Sequence, residues 1–298
     1  MGNKSTGGPC TDKKIYTESC LGLQYICCEM QGWREYMEDS SLCISNFRNK
    51  NNSFLFGIFD GHGGPYISKF ASSNFRDIFA DYLKKNQTIE NAFVHTFLKI
   101  DELLILDEVN QFIRGNSKEE FKESDYNVNN YIKFKTNYLS NAKTLLISQD
   151  SLSTDLKSSS FNNENSISIE NNTENKDGKE ESTNYTGGKD IENKKIKSID
   201  SLDRPKIYKS IKKDNIAYQM GTTANLVFIE DKKIYVANVG DSFSVMYKNK
   251  EAIKMNTEHK TCIKSEEERI KNAGFKIFNN RVDGKLNLSR AIGNFIYY

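Results

Sequence analysis

No apolar run in the sequence is long enough to span a bilayer, and no signal-peptide core is visible, so neither a transmembrane helix nor a secretory leader is expected. An excess of one charge sign is also lacking. The 42 basic residues nearly balance the 40 acidic ones, leaving a net charge of +2. That balance gives no reason to propose a nucleic-acid partner or a strongly acidic one. The six cysteines (Cys10, Cys20, Cys27, Cys28, Cys43 and Cys262) contain no CxxC pair and no regular framework. A reducing compartment is therefore expected rather than secretion.

What is present centres on SFLFGIFDGHGG, residues 53–64. Phe54, Leu55, Phe56, Ile58 and Phe59 make a short apolar run bounded by turn formers, which reads as a buried strand. The run ends on Asp60, followed by Gly61, His62, Gly63 and Gly64. A carboxylate at the end of a buried strand is held rigidly while its oxygens face a cleft, and the glycines let a carbonyl or a ligand approach closely. An Asp, a free carbonyl and a His at that spot suit a hard metal ion and phosphate chemistry. A Gly-rich turn capped by an Asp is the plainer reading of the same stretch.

Further motifs flank it in order: GWREYMED (32–39), GTTANLVFI (221–229), IYVANVGDS (234–242), EHK (258–260) and LSRAIGN (288–294). Residues 25–29 and 41–45 read as strands around the first, with Trp33 and Met37 expected in the core. Arg34 carries a planar guanidinium that can bind two phosphate oxygens at once. Glu38 and Asp39 add carboxylates close to Asp60 if the two strands are neighbours. Residues 224–229 and 234–239 read as a hairpin that brings Asp241 to a strand end, much as 53–59 brings Asp60. Pro65 opens a helix carrying Phe70, Phe75, Ile78 and Phe79. Thr88 caps a second helix with an apolar stripe of Ala92, Phe93, Phe97, Ile100 and Leu104. His95 reads as structural or surface, and Asp101, Glu102, Asp107 and Glu108 as a solvated face. A hairpin is expected across Asn249-Lys250, and Ser265 with Glu268 as the capping box of a short helix that Gly274 ends.

Taken together and in this order, the motifs resemble those of the metal-dependent type 2C serine/threonine protein phosphatases, over about residues 22–114 and 217–298. The resemblance implies an α+β fold, an α/β/β/α sandwich of two antiparallel sheets flanked by helices. It implies hydrolysis of phosphoserine and phosphothreonine in protein partners by a metal-activated water, with two Mg²⁺ or Mn²⁺ ions, or three. By the same resemblance Asp60 bridges two metals, Glu38 binds one, the Gly61 carbonyl binds the other, and Asp39 is a further metal-site carboxylate. Asp241 helps to hold the additional metal. Arg34 contacts the substrate phosphate, His62 protonates the departing oxygen, and Arg281 stands where the family has a flap residue near the substrate. His259 and Arg290 are expected to be structural. The sequence departs from the family at Phe243, where Arg is usual, and at Asn294, where Asp is usual.

Two later motifs of the family, C-D-G-(hydrophobic)-W-D and D-N, do not occur here. The phosphatase-like domain, 22–298, is therefore expected to be incomplete and to lack its C-terminal strands. A fragment of a longer enzyme is the preferred explanation, because Arg34, Glu38, Asp60 and His62 are all retained. A catalytically inactive, membrane-anchored binding or regulatory module is the alternative. Between the matching blocks, at about 115–215, Asn, Ser, Glu and Lys dominate, too polar to offset the entropy of ordering, so a disordered insertion is expected. At the other end, Gly2 and Thr6 fit the M-G-x-x-x-[ST] acylation pattern. One acyl chain binds a membrane only marginally, and Cys10 is the candidate for a second. Residues 1–21 thus read as an acylated tail, or as an unmodified one. Acylation would place the protein in the cytoplasm, peripheral on the cytoplasmic face of a membrane.

Overall fold

The computed structural model describes residues 8–20, 22–85, 87–116, 208 and 210–298. Gly2 and most of the Asn-rich insertion lie outside the described residues. Met1–Glu119 with Leu202–Tyr298 forms one compact unit and Glu120–Ser201 another. The described residues belong to the first.

Two strands, β1 (Cys10–Cys20) and β2 (Leu23–Gly32), form an antiparallel hairpin. They are followed by β3 (Ser40–Ile44), β4 (Ser53–Phe59), the short β5 (Gly61–His62) and helices α1 (Tyr66–Lys84), α2 (Ile89–Ile105) and α3 (Asp107–Asn116). After the insertion come β6 (Gly221–Thr222), β7 (Ala224–Glu230), β8 (Lys233–Val239) and the hairpin of β9 (Val245–Lys248) and β10 (Glu251–Lys254). Helix α4 (Lys264–Asn272), the short pair β11 (Ile277–Phe278) and β12 (Arg281–Val282), and β13 (Ile292–Gly293) complete the unit. The central sheet has the order β3-β4-β7-β8, and a small sheet has the order β13-β6-β5. Among the described residues every strand pair is antiparallel, in keeping with the α+β class.

The core lies between the central sheet and the helices. Leu55 and Phe59 of β4 and Leu226 and Phe228 of β7 are fully buried. Phe75 and Phe79, one turn apart on α1, reach this face: Phe75 lies 6.1 Å from Phe59 and Phe79 lies 5.4 Å from Phe228 between ring centroids. Phe93 of α2 stacks on Phe79 at 4.4 Å. Thr88 caps α2 by accepting a hydrogen bond from the Asn91 N–H at 3.2 Å. Asn249 and Lys250 both adopt positive φ between β9 and β10, the backbone twist that a tight hairpin favours.

Several expectations are corrected. Strand β4 is not buried on both faces: Tyr25 packs against Phe56 at 4.9 Å, but Ile58 stays 47% exposed. The β1–β2 hairpin reaches only part of that face. Cys10–Cys20, within the stretch read as a tail, pairs along its length with β2. Its exposed, polar side chains hid the strand, which is tied down by Glu18 accepting from Tyr25 and Ser45. Trp33 is 56% exposed rather than core, because the chain leaves β2 at Gly32, whose positive φ turns the next residue outward. Asp101 is buried, not solvated. It follows Phe97 by four residues and precedes Leu104 by three, which places it on the apolar stripe of α2. There it accepts from the Gly293 N–H at 2.8 Å and the Tyr298 hydroxyl at 3.1 Å. Ser265 and Glu268 form no capping box, because α4 begins one residue before Ser265, at Lys264, with Ile263 at its N-cap. Buried Glu266 in the first turn instead pairs with both Nε and Nη2 of Arg290, and that pairing holds its carboxyl at about 2 despite burial.

Replacing Phe79 with Ala is expected to destabilise the chain by about 3–5 kcal/mol through the cavity left between α1, α2 and β7. Chemical denaturation of wild type and F79A measures this, and a change under about 1 kcal/mol would contradict the packing described.

Candidate functional site

The site forms where β4 and β8 end on the same side of the central sheet. Asp60 follows β4, and its backbone exchanges two hydrogen bonds with Thr223. The Thr223 N–H donates to the Asp60 carbonyl at 2.9 Å, and the Asp60 N–H donates to the Thr223 hydroxyl at 3.1 Å. That hydroxyl also pairs with Ser242 at 2.8 Å, in the loop carrying Asp241. Thr223 therefore ties the two strand ends together, a role not read from the sequence. Gly240, just before Asp241, donates to Nδ1 of His259 at 3.1 Å, and its carbonyl accepts from the His259 N–H at 2.8 Å. Burial, assisted by Arg290, holds the His259 pKa down and so keeps the ring neutral and able to accept. His259 is thus a structural anchor of the Asp241 loop.

The 32–39 loop closes the site from the other side. Gln31 donates to the carbonyls of Arg34 and Glu35 at 2.9 and 3.0 Å. Farther along, the Glu38 carbonyl accepts from the Ser68 hydroxyl of α1. The loop backbone presses on Gly61 so closely that a Cβ there would lie 2.3 Å from the Glu38 carbonyl oxygen, a contact only glycine permits.

Arg34, Glu38, Asp39, Asp60, Gly61, His62 and Asp241 all line one cleft. Arg34, Glu38 and His62 also line an adjoining groove that contains Arg281. The structure thus brings together every candidate for metal, phosphate and proton chemistry. Cys10 is exposed and lines neither cavity. Arg34 is not free: Nη2 lies 2.6 Å from Glu38, an ion pair whose guanidinium side is 55% exposed. His62 Nε2 lies 2.5 Å from Oδ1 of buried Asn294, a second residue missed as part of the site. Its only sequence signal was an Asn where the resembling motif has Asp.

Two of these carboxylates have raised pKa values. Asp39 is pushed up to about 6, first by burial and then by the charges of Asp60 and Glu29. Asp60 is also raised, by burial and by Asp241, against the downward pull of His62 and Arg34. Among the described residues, no three His, Cys, Asp or Glu side chains converge into a ready-made metal cage. The donor set nevertheless fits a hard divalent cation: it is all oxygen, comes from separate segments, and carries a repulsion that a cation would relieve.

The profile of the family described as protein phosphatase 2C matches residues 23–120 and 133–298. Probable protein phosphatase 2C 6 of Paramecium tetraurelia is 27% identical over 97% of this chain and 66% of its own length. Probable protein phosphatase 2C 4 of the same organism is 26% identical over 90% of this chain and 58% of its own. Probable protein phosphatase 2C 60 of Arabidopsis thaliana is 27% identical over 96% of this chain and 63% of its own. The chain therefore spans about two thirds or less of the length of these relatives.

Asp39 makes stability depend on pH with a defined sign. Its carboxyl binds a proton in the folded chain up to about pH 6, but only to about pH 4 when unfolded. This contribution is full below the unfolded value and is lost as pH rises through 6. In the metal-free chain, Asp39→Asn is expected to raise Tm relative to wild type more at pH 7 than at pH 5. A difference that is equal at both values, read by calorimetry, would refute the coupling.

Proposed function

The chain belongs to the protein phosphatase 2C family, and from that premise we propose that it is a metal-dependent protein serine/threonine phosphatase. The observation that carries the reading is the shared cleft, in which a guanidinium, four carboxylates, Gly61 and an imidazole meet from separate motifs. Glu38, Asp60 and the Gly61 carbonyl, with Asp39 in the same acidic set, would hold two Mg²⁺ or Mn²⁺ ions, and Asp241 would help to hold a third. Bound there, the ions supply a water acidic enough to attack phosphorus at neutral pH.

The remaining steps belong to this chain's own side chains. Arg34, released from Glu38, presents two N–H groups to the phosphate and orients it for in-line attack. His62 gives a proton to the serine or threonine oxygen as it departs. Arg281 faces the protein part of the substrate from the adjoining groove. Partners are phosphoproteins, and acylation of Gly2 and Cys10 would hold the enzyme on the cytoplasmic face of a membrane. The second reading is a catalytically inactive, membrane-anchored binding or regulatory module, distinguished by the C-D-G-(hydrophobic)-W-D and D-N motifs that do not occur in this sequence.

Hydrolysis of p-nitrophenyl phosphate with Mn²⁺ distinguishes the two readings. Asp60→Ala is expected to lower kcat at least about 100-fold, and Arg34→Ala to raise KM for phosphate esters. Absence of metal-dependent turnover in the longer natural protein that carries this chain would sink the enzyme reading. Intact mass of protein co-expressed with an N-myristoyltransferase is expected to show loss of Met1 and gain of a myristoyl group. Gly2→Ala should abolish that gain, and an unmodified wild type would remove the anchor.

A further inference from the structure

The structure assigns Asn294 as a positioning residue: it clamps Nε2 of His62 so that Nδ1 is the nitrogen left to face the substrate. The inference rests on the phosphatase reading for its catalytic meaning and on geometry for the clamp itself.

The clamp is built across the small sheet. His62 of β5 and Gly293 of β13 both stand opposite Gly221 of β6. The His62 and Asn294 side chains meet over Gly221, which has none. A Cβ at Gly221 would lie 2.2 Å from Asn294 Oδ1 and 2.8 Å from His62 Nε2, so the pair exists only because residue 221 is glycine. Asn294 is itself held at three points. Its N–H donates to the Met220 carbonyl at 2.9 Å, its Nδ2 donates to the Gln219 carbonyl at 2.9 Å, and the preceding Gly293 N–H is bound by Asp101 of α2. Asn294 is 3% exposed and sits at φ 54, a left-handed conformation that asparagine tolerates.

The Gln219 contact decides which way the amide faces. A flipped amide would set Oδ1 against the Gln219 carbonyl, two acceptors with no proton between them. Oδ1 therefore faces His62, and Nε2 must be the donor in that pair. Nε2–H stays bound through the reaction while Nδ1 exchanges the mobile proton. As the P–O bond breaks and its electron pair stays on the serine or threonine oxygen, the Nδ1–H proton passes to that oxygen. The ring is left neutral with Nε2–H intact.

Two measurements on the 298-residue chain test this. The first is NMR of the metal-free protein labelled with ¹⁵N-histidine. The chain has three histidines, so the loss of signals in His62→Gln assigns the ring. A His62 Nε2–H proton in slow exchange with water is expected in wild type and in Asn294→Asp. It is expected to be lost in Asn294→Gly, which keeps the left-handed backbone. Its absence from wild type would overturn the assignment.

The second compares a phosphoserine peptide with p-nitrophenyl phosphate in Mn²⁺. A serine oxygen needs a proton to leave, whereas nitrophenolate scarcely does. Asn294→Gly is expected to lower kcat on the peptide, relative to the aryl ester, by about tenfold or more, with KM changed by less than about twofold and with Asn294→Asp restoring most of the loss. Equal losses on both substrates would mean a structural role and overturn the proposal. Should the chain turn over neither substrate, the same variants are compared in the longer natural protein; inactivity there would sink the phosphatase reading alone, and the NMR result would still decide the clamp.

Discussion

Carboxylates from three separate stretches of chain are held at one end of a sheet against their mutual repulsion. Asp39, Asp60 and Asp241 lie apart in the chain, and burial, with the neighbouring carboxylate charges second, raises the pKa of Asp39 and Asp60. Such a cluster persists only if the backbone is fixed independently of the charges. Here the Thr223 backbone and hydroxyl bind Asp60 and Ser242, while the neutral His259 ring binds Gly240. Asp60 and the Asp241 loop are thus positioned by uncharged hydrogen bonds to the Asp60 backbone, Gly240 and Ser242 rather than through their carboxylates.

Those hydrogen bonds depend in turn on the aromatic packing beneath them. Strands β4 and β7 are hydrogen-bonded along their length, and their helix-facing residues are sealed by Phe75 and Phe79 of α1. Any slip of register between β4 and β7 would move Asp60 away from Thr223 and turn Leu55 and Phe228 out of the core. Burial and site geometry therefore specify the same register. The opposite face of the sheet is less constrained, with Ile58 open to solvent where the β1–β2 hairpin does not reach.

The basic side of the site is ordered by a different set of contacts. Arg34 is held by Glu38, so the group suited to phosphate begins paired with a group suited to metal. His62 is held by Asn294, and Asn294 by a network that reaches α2 through Gly293 and Asp101. Helix α2, bonded to β13 through Asp101, thus takes part in orienting an imidazole in the cleft. A carboxylate occupies this apolar stripe because Asp101 accepts from the Gly293 N–H, and it also accepts from the Tyr298 hydroxyl.

The sequence alone determined the strand that ends at Asp60, the hairpin turn at Asn249 and Lys250, the Thr88 cap and the aromatic stripe of α1. Each depends on local spacing or on the backbone preference of one residue. Motif order identified the family and the residues that line the cleft. Only the tertiary structure decided the rest. It made a strand of Cys10–Cys20, whose polar side chains show no alternation, and it left Trp33 outside and drew Asp101 inside. It also gave Thr223 and Asn294 their places beside Asp60 and His62. These outcomes depend on partners distant in the chain, 163 residues from Asp60 to Thr223 and 232 from His62 to Asn294. Periodicity and propensity describe what a residue does to its neighbours in sequence. A hydrogen bond between such distant groups is set by which strands pair and in what register, and that is a property of the whole fold.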